Sequence, residues 1–198
     1  MIINNNINNY TTWKTAITRL KTGNANFVND SLNNDSQDSS RRKEVVDGQK
    51  PYTVILTCSD SRVVPELMFD TGIGELFVIR VAGNVANPSS IASIEYAVAH
   101  IDVKLIVVLG HQNCGAVTLA LAGGDEGKNI DHLLNYIQPA ISISDSKKVD
   151  DVSLIHAKLT ADKIIKASGI IAKAIEDNAL KIISAYYNLE SGQVDFFE

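Results

Sequence analysis

The sequence predicts an α/β protein in which a central, mainly parallel β-sheet is flanked by helices and carries an extended N-terminal helical arm. Three observations support this. Runs rich in Val, Ile, Leu and Phe, at Tyr52–Leu56, Glu75–Val81 and Leu105–Leu109, are nearly continuous in apolar residues, as strands covered on both faces are. Between the second and third lies Pro88–His100, whose apolar positions recur at a period near 3.6 behind a polar lead-in, the pattern of a capped helix. Strand, helix and strand in that order imply right-handed crossovers and parallel pairing.

Taken in order, residues 1–29 form the arm. Trp13, Ile17, Leu20, Phe27 and Val28 recur near helical spacing, and Gly23 is expected to break the helix in its middle. Residues 30–50, rich in Asn, Asp, Ser and Gln, have almost nothing to bury and are expected to form an exposed loop or linker. Residues 51–198 form the α/β core, and the whole chain is expected to be one domain. After the third strand, helices are expected at Ala116–Leu121, Ile130–Ile143 and Val152–Ile165, with another ending near Asp177. Leu180–Leu189 reads as a further strand and Gln193–Phe197 as a β-like tail.

Composition narrows the function. With 45% hydrophobic and 21% charged residues, a folded soluble protein is expected. The net charge of −5 gives no reason to expect nucleic acid or an anionic membrane as a partner, since those surfaces require clustered Lys and Arg. The one basic run, Arg41-Arg42-Lys43, sits inside the polar linker and reads as solvated. No stretch reaches the roughly 18 apolar residues needed to span a bilayer, and MIINNNINNY lacks the features of a secretory signal, so a cytoplasmic location is expected. The sequons at Asn29 and Asn34 then carry no meaning. Two cysteines make no disulfide scaffold, and a reducing compartment leaves them free for metal or catalysis.

The chemistry concentrates where strands end. Ligands of open α/β sheets bind at the carboxyl edge. Cys58, in TCSDSR, follows the first strand directly, and His111, in GHQNC, follows the third after one glycine. Cys114 lies three residues further on, at the entry to a helix, where the HxxC spacing lets both side chains face one way. Two thiolates and an imidazole are three ligands for a tetrahedral Zn2+ with one open position, although a buried apolar cysteine or a Cys58–Cys114 disulfide is the blander reading. Asp60 is close enough in sequence either to close the zinc site or to accept a hydrogen bond from a zinc-bound water. Arg62 carries a planar fork suited to gripping that carboxylate and keeping it ionised. Zinc lowers the pKa of bound water from about 15.7 to about 7, which points to hydrolytic or hydration chemistry.

CSDSR, RVAGN (Arg80–Asn84), IEYAV (Ile94–Val98) and GHQNCGAV (Gly110–Val117) together resemble the β-class carbonic anhydrases. The likeness extends from LKTGNANF in the arm to YYNLESGQVDFF near the C-terminus. It implies that Cys58, His111 and Cys114 bind one zinc ion and that Asp60 and Arg62 form the catalytic pair. The reaction implied is reversible hydration of carbon dioxide to bicarbonate and a proton through zinc-bound hydroxide. It also implies a homo-oligomer, dimer or tetramer, with Trp13 and Phe27 of the arm packed on the partner. Gln49, Phe77 and Tyr96 occupy the places of residues that line the family's substrate pocket, partly across a dimer interface.

Ile55 stands where members with a bicarbonate switch have tryptophan, so an open site with Asp60 paired to Arg62 is expected. Val81 replaces a common asparagine, which removes one expected hydrogen bond from that loop. His100, His132 and His156 lie on predicted helices and read as ordinary surface or core residues, with no proton shuttle assigned. Two alternatives remain at this stage. One is a related zinc hydrolase acting on carbonyl sulfide or carbon disulfide, and the other a non-catalytic zinc-binding or bicarbonate-sensing module.

Overall fold

The structure, a computed structural model, describes residues 12–198. Five strands, β1 (Thr53–Thr57), β2 (Leu76–Arg80), β3 (Leu105–His111), β4 (Lys181–Tyr187) and β5 (Val194–Phe197), form one sheet in the order β2-β1-β3-β4-β5. The first four are parallel neighbours and β5 returns antiparallel on β4, as the tail after Gly192 allows. β1 and β3 are buried at every residue, in keeping with their unbroken apolar sequences. β2 was expected to be covered on both faces as well, but it is the outer strand and stays half-exposed.

The two faces of the sheet separate by residue parity. Ile55, Leu105, Val107 and Leu109 meet the N-terminal helix α1 (Trp13–Val28) and the short turn of helix α3 (Pro65–Met68). Val54, Leu56, Ile106 and Val108 meet α4 (Pro88–His100), α8 (Val149–Ala167) and α9 (Gly169–Glu176) on the other side. α4 begins where Asn87 and Ser90 cap each other, the residues of the polar lead-in. A third cluster, built around Cys58, Cys114, Val117, Ile137 and Val152, covers the carboxyl edge with α5 (Gly115–Ala122), α6 (Lys128–Leu134) and α7 (Gln138–Ile143).

Two helix expectations are corrected. α1 runs through Gly23 without a break, because glycine is there for proximity and not for bending. A Cβ at residue 23 would stand 1.8 Å from the Phe69 carbonyl oxygen, so only hydrogen lets α1 lie this close to the end of α3. Trp13 and Phe27 pack, half-buried, against the chain's own first core cluster. The helix expected over 130–143 is two, α6 and α7, since Pro139 in the first turn of α7 has no N–H to carry a continuous ladder.

The polar segment 30–50 is exposed but docked. It holds a small helix, α2 (Ser39–Glu44), capped by Asp38. Ile73 donates to the Ser36 carbonyl at 2.9 Å, and Arg41 Nε donates to the Ile73 carbonyl at 2.9 Å. The Asp70 carboxylate accepts from Asn26, Asn33 and Asn34. Asn24, buried in α1, ties that helix to two distant segments: its amide donates to the Met68 and Gly192 carbonyls, and its oxygen accepts from Val194. Gly110, near the end of β3, lies under α8, where a Cβ would stand 3.0 Å from the Ser153 carbonyl oxygen. Among the described residues no helix is long and apolar enough to cross a membrane.

Candidate metal centre

The strand order reverses between β1 and β3, and the crevice at that switch point is where an open α/β sheet binds ligands. Thr57 is in register with Leu109, so the residues that follow, Cys58 on one strand and Gly110-His111 on the other, emerge side by side. Cys114 sits at the N-cap of α5, one turn of chain beyond His111. The two sulfurs and a ring nitrogen of His111 all lie within 4.8 Å of one another, and the three residues are buried. This is the juxtaposition the sequence expects of these three residues.

The protonation pattern of His111 follows from its neighbours. Its Nδ1 is 2.9 Å from the Gln112 carbonyl, which can only accept, so Nδ1 carries the proton and Nε2 offers a lone pair. Nε2 is buried and has no hydrogen-bond partner. An unpartnered imidazole nitrogen between two thiols is what a Zn2+ site needs, and the set of soft and borderline donors fits that ion. The Cys58 thiol is lowered chiefly by its contact with Cys114, and further by His111 and by the N–H groups of Asp60 and Gly83, at 3.4 and 3.2 Å from the sulfur. The hydrogen-bonding contact with Cys58, then burial and the Cys58 charge, push the Cys114 thiol up. The pair therefore shares one proton until a cation cancels the repulsion.

Asp60 is turned to Arg62. Arg62 Nε donates to Oδ1 at 3.0 Å and its terminal nitrogen donates to Oδ2 at 2.8 Å, while the Arg62 amide also donates to Oδ1. These bonds, the guanidinium's first, hold the Asp60 carboxyl well below the usual carboxylate range. The Arg62 side chain is about half exposed, so solvent screens the pair and its effect is on position, not on stability. The same guanidinium reaches the Asn113 carbonyl at 3.3 Å, tying the CSDSR turn to the HQNC turn.

Three supporting residues were not assigned from the sequence. Arg80, the first residue of RVAGN, donates to the Cys58 carbonyl at 3.2 Å and to the Asp60 carbonyl at 2.6 Å, clamping the turn that carries both. Gly83 has φ +65° and packs where a Cβ would meet Ala116 and Ile137 at 3.1 Å, so its place in the motif is required by backbone and space alike. Asp150 of α8 accepts from the Asn113 amide at 2.8 Å and steadies the second turn. Val81 donates its amide to Thr57 and turns its side chain into the apolar cluster around Cys58 and Cys114.

Gln49, Phe77 and Tyr96 lie elsewhere. Gln49 is exposed ahead of β1, at the opposite end of that strand from Cys58. Phe77 is in register with Val54, also at the amino end, and Tyr96 of α4 stands beside it with ring centroids 6.4 Å apart and 51% of its surface exposed. The three do not join the cysteines within one protomer. His100 lies tilted against Tyr96 and His132 meets Tyr136 edge-on, whereas His156 is buried behind the RVAGN loop.

Comparison with known proteins agrees with this geometry. A family model described as carbonic anhydrase matches residues 53–194. Carbonic anhydrase 2 of Mycobacterium tuberculosis is 36% identical over 195 residues, covering 95% of this chain and 92% of its own. A carbonic anhydrase of Mycolicibacterium smegmatis is 36% identical over 197 residues, covering 96% and 94%. Among solved structures, one of two tetrameric β-carbonic anhydrases from Sordaria macrospora superposes with a TM-score of 0.73 at 26% identity, over 93% of this chain and 97% of that one.

Proposed function

This chain belongs to the β-class carbonic anhydrase family, and on that premise we propose that it is a zinc-dependent carbonate dehydratase interconverting carbon dioxide with bicarbonate and a proton. The observation that carries the reading is the convergence of two buried thiols and an unpartnered imidazole nitrogen at the sheet's switch point. Cys58, His111 and Cys114 would hold one zinc ion per subunit. Zinc bound there supplies a Lewis acid that makes water nucleophilic at neutral pH.

The chain's own residues do the rest. Asp60, kept ionised by Arg62, can only accept hydrogen bonds. A hydroxyl group beside it is therefore turned with its proton toward the carboxylate and its lone pairs away, toward an incoming carbon. In the reverse direction the same preference selects the hydroxyl of bicarbonate. Arg62 and Arg80 hold Asp60 from its side chain and its backbone, so the acceptor keeps one direction.

The chain is read as a single domain that works as a homodimer or tetramer. Gln49, Phe77 and Tyr96 would line the substrate pocket of a neighbouring subunit's centre. The exposure of Gln49 and Tyr96, with Phe77 half-buried beside Tyr96 at the amino end of the outer strand, supports this, as does the tetrameric state named for the Sordaria proteins. A cytoplasmic location is proposed with it.

The test combines metal analysis with stopped-flow carbon dioxide hydration for the wild type and Asp60→Ala. The wild type should hold one zinc per chain and hydrate carbon dioxide, and Asp60→Ala should keep its zinc while losing about 100-fold or more in rate. Equal rates for the two proteins remove Asp60 from the mechanism, and a wild type without stoichiometric zinc overturns the reading. Turnover of carbonyl sulfide and carbon disulfide in the same preparation settles the substrate.

A further inference from the structure

His156 lies on α8 with 2% of its surface exposed. Its Nε2 is 2.8 Å from the Gly83 carbonyl oxygen, across 73 residues of sequence. A carbonyl can only accept, so Nε2 carries the proton. Thr160, one turn along α8, stands 3.5 Å from the same nitrogen. At its other end Gly83 donates its N–H to the Cys58 sulfur at 3.2 Å. A left-handed glycine has a wide choice of backbone angles, and this one is narrowed by a wall of Ala116 and Ile137 and by a bond on each side.

From this chain of contacts, and resting on the reading of Cys58 as a zinc ligand, we infer that His156 is a positioning residue for the metal centre. By donating to the Gly83 carbonyl it holds the Gly83 N–H on the Cys58 sulfur and so sets the electron density that this thiolate presents to the metal. A hydrogen bond to a coordinating group tunes both affinity and electronics, and loss of such an outer contact commonly costs 10- to 100-fold in metal binding. A histidine that merely fills the core would leave the metal's properties untouched when replaced by another folded side chain.

The test uses the full chain loaded with zinc or cobalt(II), in wild type, His156→Gln and His156→Asn. The glutamine amide reaches the place of Nε2, while the asparagine amide falls short by one bond. His156→Asn should lose about 10-fold in zinc affinity, measured by chelator competition, and should move the thiolate-to-cobalt charge-transfer band to lower energy. His156→Gln should match the wild type in both. Wild-type values in both variants, or equal damage in both, overturn the inference. If His156→Asn does not fold, His156→Leu, which fills the space without a donor for the Gly83 carbonyl, takes its place: the same loss of affinity and band shift support the inference, and wild-type values overturn it. Failure of the wild type to take up either ion would overturn the metal reading itself, a result distinct from unchanged spectra in the variants.

Discussion

Acid should weaken this protein through His156 before its carboxylates protonate. Burial, with the nearby Lys163 charge, brings the imidazole down from 6.5 to about 4, against the upward pull of the Gly83 carbonyl. Its folded-state pKa is depressed, so the unfolded chain takes up a proton near pH 6.5 while the folded chain declines one until about pH 4. Stability is therefore whole above that window and falls as pH falls through it. At 1.36 kcal/mol per pH unit the loss reaches about 2 kcal/mol near pH 5 and levels off near 3 kcal/mol at still lower pH. With 2% exposure, solvent screening takes little from this figure. The perturbation is His156→Gln, which keeps a donor for Gly83 but does not titrate. The assay is urea unfolding of both zinc-loaded proteins across the window, read as the difference between them, so that protonation of the metal ligands cancels. Wild type should lose about 2 kcal/mol relative to the variant between about pH 7.5 and pH 5. A difference that stays flat, or a wild type that gains, would show that the imidazole is protonated or solvated in the folded state and would refute the reasoning.

Other outcomes follow from contacts already described. Asn24→Ala leaves two carbonyls and one amide buried without partners, and should cost about 3 kcal/mol or more, measured by denaturant unfolding. Gly23→Ala should destabilise by about 1–3 kcal/mol despite alanine's better helix propensity, because the Phe69 backbone must move; an unchanged or raised melting temperature would show that α1 shifts freely. Arg62→Lys keeps the charge but loses the two-point grip on Asp60, so the hydration rate should fall while zinc content stays at one per chain.

The metal centre was legible in the sequence because its parts follow strand ends directly. Cys58 and His111 need only two parallel strands in neighbouring positions to meet, and Thr57 opposite Leu109 provides that. The role of Gly23 was not legible, since a helix-weakening glycine and one admitting a neighbouring backbone look alike until that neighbour is known. His156 was hidden for a related reason: its partner is a main-chain oxygen 73 residues away, and backbone partners leave no side-chain pattern to read. The split between α6 and α7 was there in Pro139 but was outweighed by the apolar period around it. The role proposed for Gln49, Phe77 and Tyr96 needs a second copy of the chain, and within one chain they sit at the amino end of the sheet, away from the cysteines.

Gly110 precedes His111, and its importance is easily credited to that neighbour. Yet what presses on it is the Ser153 carbonyl of α8, 3.0 Å from where a Cβ would stand, so a larger residue fits only if that backbone gives way. A methyl group there would push on a helix that also carries Asp150 and His156, the supports of the second turn and of Gly83. A lineage changing this position would meet its penalty as altered metal handling, traced back to a matter of thickness between helix and strand.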